Sequence, residues 1–125
     1  MARVPIIRVG ATLIATVQDE LCDSDVMLLQ EELSATLERT GVHAVLLDLT
    51  TVQTVDSFLG RLLNDVAAEM RLLGAQTVIV GIQPAVAITL VELGLNLKGV
   101  TTALDVDKGM RLLQHSLRVY DLGRM

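Results

Sequence analysis

The chain has 125 residues, a length that fits one domain with enough interior to need no metal or disulfide staple. Apolar residues make up 51% of it, yet the only rings of Phe, Tyr or Trp type are Phe58 and Tyr120, so the core has to be aliphatic. A net charge of −5 argues against a general nucleic-acid binder, and the single cysteine, Cys22, excludes an internal disulfide.

No apolar run approaches the roughly 20 residues of a membrane span. The opening Met1-Ala2-Arg3-Val4-Pro5 lacks the apolar run of a signal peptide, so the expected location is the cytoplasm. Val4 to Val9 and Thr12 to Val17 are β-branched runs parted by Gly10-Ala11, which predicts a hairpin. Asp23, Ser24 and Asp25 then offer capping oxygens to a helix whose Val26, Leu29, Leu33 and Leu37 recur at helical spacing. Glu31, Glu32, Glu38 and Arg39 take its other face, and Gly41 ends it.

His43 to Leu49 is a nearly continuous apolar run, the pattern of a strand covered on both faces. A loop over 50–55 leads to Asp56-Ser57, which opens a helix with the stripe Leu59, Leu62, Leu63, Val66, Met70 and Leu73, closed by Gly74. Gln76 to Val80 is a second buried strand. Pro84 suits the first turn of a helix that runs to Leu93 and stops at Gly94. Thr101 to Leu104 is a short strand, and Asp105 or Asp107 opens a last helix with Met110, Leu113 and Leu117. The order ββαβαβαβα predicts an α/β fold. Its sheet is mostly parallel, with an N-terminal β-hairpin and about four helices. The expected limits are a single domain over 1–118 and a C-terminal tail over 119–125 that frays from about Asp121.

Few residues offer chemistry. The chain lacks GxxxxGK[ST], GxGxxG, CxxC and HExxH signatures. His43 reads as an edge residue at a strand start, His115 as a solvated helix residue, and Cys22 as a small, semi-buried one. Asp48, near the end of a buried strand, is placed like a receiver phosphoaspartate. That reading needs an acidic pair for Mg²⁺ and a lysine on a later strand. Asp19-Glu20 is the only acidic pair in roughly the right place, and the last strand has no lysine. Asp48 is therefore expected to accept backbone hydrogen bonds from the loop it precedes.

Asp56-Ser57 is the most informative pair. It follows the carboxyl end of a parallel strand and opens a helix, where unpaired N–H groups and the helix dipole favour negative charge. A phosphate on Ser57 would add about −1.5 to −2 charges there without requiring a new fold. Either residue could equally serve as a plain helix cap. The helix Pro84 to Leu93 is the second feature. Its only charge is Glu92, so its outer face is either covered by the chain or meets a partner.

The element order, the run Val45-Leu46-Leu47-Asp48-Leu49 and the helix-opening Asp56-Ser57 resemble the STAS domain, the fold of bacterial anti-sigma-factor antagonists. The resemblance extends over residues 3–118. Within that family, several segments are similar to the RsbS type, the minimal STAS protein of the stressosome. These are Val55-Asp56-Ser57-Phe58, the stretch from Gly81 to Leu90, Glu92-Leu93-Gly94-Leu95, Thr102-Ala103-Leu104 and Lys108-Gly109-Met110.

The resemblance implies a non-enzymatic scaffold subunit with no cofactor and no metal. Such a subunit self-associates into a large assembly with an RsbR-type STAS co-scaffold and sequesters an RsbT-type serine kinase. Phosphorylation on stress releases the kinase, and an RsbX-type phosphatase resets the system. The family's phosphoserine falls on Ser57, with Asp56, Phe58 and Arg61 as the expected partner contacts. Phosphorylation of Thr50, Thr51 or Thr54 is left open. The alternative is a stand-alone anti-sigma-factor antagonist that binds an anti-sigma kinase one-to-one. Phe58-Leu59 stand where those antagonists place a small residue and then glycine, which speaks against direct anti-sigma-factor binding. RsbR-type proteins carry a sensory domain before the STAS domain. With no room for one here, the chain is not expected to sense the stress itself.

Overall fold

The computed structural model describes residues 4–18, 22–94 and 100–123. Its elements follow the expected order: β1 (Ile6–Val9), β2 (Thr12–Thr16), α1 (Asp23–Thr40), β3 (Ala44–Asp48), α2 (Ser57–Leu72), β4 (Gln76–Val80), α3 (Pro84–Glu92), β5 (Thr101–Ala103) and α4 (Val106–Gly123). The strands lie in the order β1-β2-β3-β4-β5. β1 pairs antiparallel with β2, and every later pairing is parallel. The mostly parallel sheet with an N-terminal hairpin is therefore confirmed.

Because side chains alternate along a strand, the register sorts each strand into two faces. Leu13, Val45 and Thr77 form one row across β2, β3 and β4, and Ala15, Leu47 and Ile79 another on the same side. This side meets Leu29, Leu33 and Leu37 of α1, Leu62, Leu63, Val66 and Met70 of α2, and Val86 and Leu90 of α3 in one core. The connections β2–α1–β3, β3–α2–β4 and β4–α3–β5 all step the same way along the sheet. Right-handed crossovers therefore stack their helices on one face. The alternate positions Ile14, Ala44, Leu46, Val78 and Val80 point to the opposite face, where Leu113 and Met110 of α4 cover them. Each fully buried leucine contributes about 1.5–3 kcal/mol from removal of its surface from water. Sandwiching β3 and β4 between helices on both sides explains why their sequences read as unbroken apolar runs.

Four details depart from expectation. The cap of α1 is Cys22, not one of the three polar residues after it. Asp25 reaches back so that its carboxylate accepts the Cys22 N–H at 3.1 Å and the thiol at 3.1 Å. Cys22 is exposed, where a semi-buried side chain was expected. Leu73 leaves the buried stripe and is half-exposed, because it caps α2 and the chain turns there. Ala75 takes the buried position instead, its N–H bonded to the Met70 carbonyl at 2.8 Å. Finally, α4 continues to Gly123, past the point at residue 118 where a tail was expected. Asp19-Glu20 lie outside the described residues.

Candidate functional site

The carboxyl ends of β2, β3, β4 and β5 face one rim of the molecule, and the β3–α2 segment crosses it. That segment is pinned at alternating points. Val52 is buried, and its N–H closes a turn on the Leu49 carbonyl at 3.0 Å. Val55 and Phe58 are partly buried and pack against the main core. Between these anchors Gln53, Thr54, Asp56 and Ser57 are exposed.

Asp56 is the helix cap. Its backbone is extended, and its side-chain Oδ1 accepts the Leu59 N–H at 2.8 Å. Its carbonyl accepts the Gly60 N–H at 3.0 Å, the first bond of the helix. Ser57 is the first helical residue, and no described residue hydrogen-bonds its hydroxyl. The capping role that the sequence left shared between them thus belongs to Asp56 alone. Arg61, four residues on, is exposed on the side of α2 that carries Ser57. A cation one turn from an exposed hydroxyl at a positively polarised helix start is a setting that welcomes a phosphate.

Two neighbouring threonines, Thr50 and Thr51, are occupied. Asp48 Oδ1 accepts the Thr50 N–H at 2.9 Å and also the Thr50 hydroxyl, as expected of an aspartate that braces its following loop. The Thr51 hydroxyl donates to the Val17 carbonyl at 3.3 Å. Thr54 and Ser57 are the hydroxyls of this segment that no described residue engages.

A contact between two loops was not foreseen. The Gln83 amide donates to the Thr50 carbonyl at 2.8 Å. Gly81 has φ +74°, and a side chain there would run into the Thr50 hydroxyl and come within 3.0 Å of the Thr50 Cα and N. Only glycine permits so close a backbone approach at that dihedral angle. A glycine directly after a buried strand was the available signal, but it does not say which loop it meets.

His43 is exposed just before β3, in keeping with an edge residue. On α3, Val86 and Leu90 are buried while Ile88 is 60% and Val91 76% exposed, so the outer side of this apolar helix faces outward. Among the described residues, no group of three or more His, Cys, Asp or Glu is placed to hold a metal, and no helix is long and apolar enough to cross a membrane.

The STAS domain family model matches residues 3–109. The chain belongs to the STAS-domain family. Its structure is similar to a serine-to-glutamate variant of RsbS from Moorella thermoacetica, with 36% identity and a TM-score of 0.82, covering 94% of this chain and 99% of that one. It is similar to the same degree, 36% identity and TM-score 0.82, to a chain of a structure described as the molecular architecture of the stressosome, a signal integration and transduction hub. That match covers 91% of this STAS chain and 99% of the other. By sequence it is 36% identical over 69 residues to the RsbT co-antagonist protein RsbRA of Bacillus subtilis (strain 168). The match takes in 55% of this chain and 25% of RsbRA, so the chain spans about a quarter of that relative's length.

Proposed function

We propose that this STAS protein is a non-enzymatic, cytoplasmic scaffold subunit of a stressosome-type assembly. It holds an RsbT-type serine/threonine kinase and lets it go when Ser57 is phosphorylated. An RsbR-type STAS protein is the co-scaffold, and an RsbX-type phosphatase returns the subunit to its holding state.

The observation that carries this reading is the exposed Ser57 hydroxyl, engaged by no described residue, beside a cap already supplied by Asp56. A phosphate there can be met by the Ser57 and Phe58 N–H groups at the helix start and by Arg61. The fold keeps its cap and core, so the modification changes the docking surface and leaves the architecture alone. Similarity along almost the whole chain to RsbS and to a stressosome component supports the scaffold role. The exposed Ile88 and Val91 on α3 supply apolar area of the kind that a neighbouring subunit covers.

The test is to incubate the protein with an RsbT-type kinase and ATP and to map the product by mass spectrometry. Phosphate on Ser57 is expected, and phosphate found only on other residues overturns the assignment. Size-exclusion chromatography with an RsbR-type partner is expected to show large assemblies. A one-to-one kinase complex with no assembly would support the stand-alone antagonist instead.

A further inference from the structure

We propose that Gly81 and Gln83 form a latch that positions Ser57 for phosphoryl transfer by holding the β3–α2 segment through Thr50. The inference rests on Ser57 being the phosphoacceptor. Every polar group of Thr50 is engaged: its N–H and hydroxyl on the Asp48 carboxylate, its carbonyl on the Gln83 amide. Against the same residue, the Gly81 Cα lies so close that no side chain fits between them. Asp48 ends β3 in register with Thr16 and Val80, so the latch is bolted to three adjacent strands. From Thr50 the chain is fixed again at Val52, Val55 and Phe58, which carries that rigidity to the residue beside Ser57.

The geometry has two effects. It withdraws Thr50 as an acceptor, since a phosphate on its oxygen would break its bond to Asp48 and set two anions together. It also fixes the backbone from which the Ser57 hydroxyl projects. In the transfer, Ser57 Oγ bonds to the γ-phosphorus of kinase-bound ATP as the bond to the β,γ-bridging oxygen breaks. ADP leaves, and the hydroxyl proton passes to a base of the kinase. Such reactions depend steeply on position: a shift of about 1 Å can cost up to about 100-fold. Gln83 is thus a positioning residue, acting on the reacting atom through Thr50.

The experiment compares Gln83→Leu, which keeps the bulk but loses the donor, with Gln83→Lys, which restores a donor. With the RsbT-type kinase, Gln83→Leu is expected to lower kcat for Ser57 roughly tenfold and to change KM less than about twofold. Its Tm is expected to fall by no more than about 5 °C. Exchange of the Val52 amide should quicken in Gln83→Leu, and Gln83→Lys should recover both rate and protection. Phosphorylation of Gln83→Leu at the wild-type rate overturns the latch. So does an unchanged Val52 amide, or a rate loss that lysine does not repair. Wild-type protein phosphorylated only elsewhere overturns the function proposed above. The exchange measurement then decides separately whether Gln83 holds Thr50.

Discussion

The Asp56 carboxylate sits 2.8 Å from the Leu59 nitrogen and caps α2, which leaves the adjacent Ser57 with a hydroxyl that no described residue engages. Asp56→Ala should therefore cost about 1 kcal/mol, the usual loss for a cap. Ser57→Ala should stay within about 0.5 kcal/mol of wild type, as exposed substitutions do. Ser57→Asp is also expected to leave Tm nearly unchanged while weakening capture of the kinase. Thermal unfolding of the three variants, with a kinase pull-down of the last, checks this division. A large destabilisation by Ser57→Ala would return the capping role to the serine.

Two glycines are predicted to resist alanine for different reasons. At Gly81 the positive φ and the contact with Thr50 combine, so Gly81→Ala should lose about 1–3 kcal/mol. At Gly109 a Cβ would lie 2.6 Å from Val80 Cγ1 and 3.0 Å from Leu46 Cδ1, because α4 is pressed onto the sheet there. Alanine's better helix propensity offsets about 1 kcal/mol, against an overpacking penalty of about 1–3 kcal/mol. Gly109→Ala should thus be neutral to destabilising in urea unfolding. A clear gain in stability would show that α4 can lift away easily.

Thr77 is 5% exposed in the layer facing α1 to α3, and its hydroxyl has no hydrogen-bond partner among the described residues. A buried hydroxyl left unpaired costs about 1–3 kcal/mol, so Thr77→Val is expected to stabilise the protein by about 1 kcal/mol. The urea midpoint measures it, and a destabilised variant would mean that the hydroxyl finds a partner in solution.

Asp25 gives the fold an acid-sensitive end. Its carboxyl is held below the ordinary aspartate range, first by the Cys22 backbone N–H and then by the Cys22 thiol. Folding therefore favours the ionised form. That contribution is complete above the unfolded value of about 4 and is lost as pH falls through the lower folded value. Asp25→Asn should be less stable than wild type at neutral pH, with the gap closing in acid. Unfolding curves at neutral pH and at about pH 3 test the sign.

The outer side of α3 should carry assembly. Ile88→Lys with Val91→Lys is expected to abolish large complexes with an RsbR-type partner in size-exclusion chromatography. Because both positions are exposed, stability should change by less than about 0.5 kcal/mol each. Intact assemblies in the double variant would place the contact on another face.

The sheet and helices were legible because burial writes itself into spacing. Leu29, Leu33 and Leu37 recur at helical intervals, and Val45 to Leu47 can be unbroken only because α2 and α4 cover both sides of β3. Ser57 was legible as a candidate, but its distinction from Asp56 was not, since either residue type can cap. Cys22 escaped because thiols seldom serve as caps, and Leu73 because helical spacing does not reveal where the helix lets go. The Gly81 and Gln83 contacts with Thr50 join residues some 30 positions apart, which no local pattern encodes.

The monotonic strand order limits how this molecule can carry information. In open α/β sheets, small ligands settle in the crevice that opens where neighbouring crossovers part toward opposite faces. Here the crossovers through α1, α2 and α3 all turn the same way, so the described strands contain no such parting. On the function proposed above, the message is written on the outside, as a charge that the next protein reads by touch.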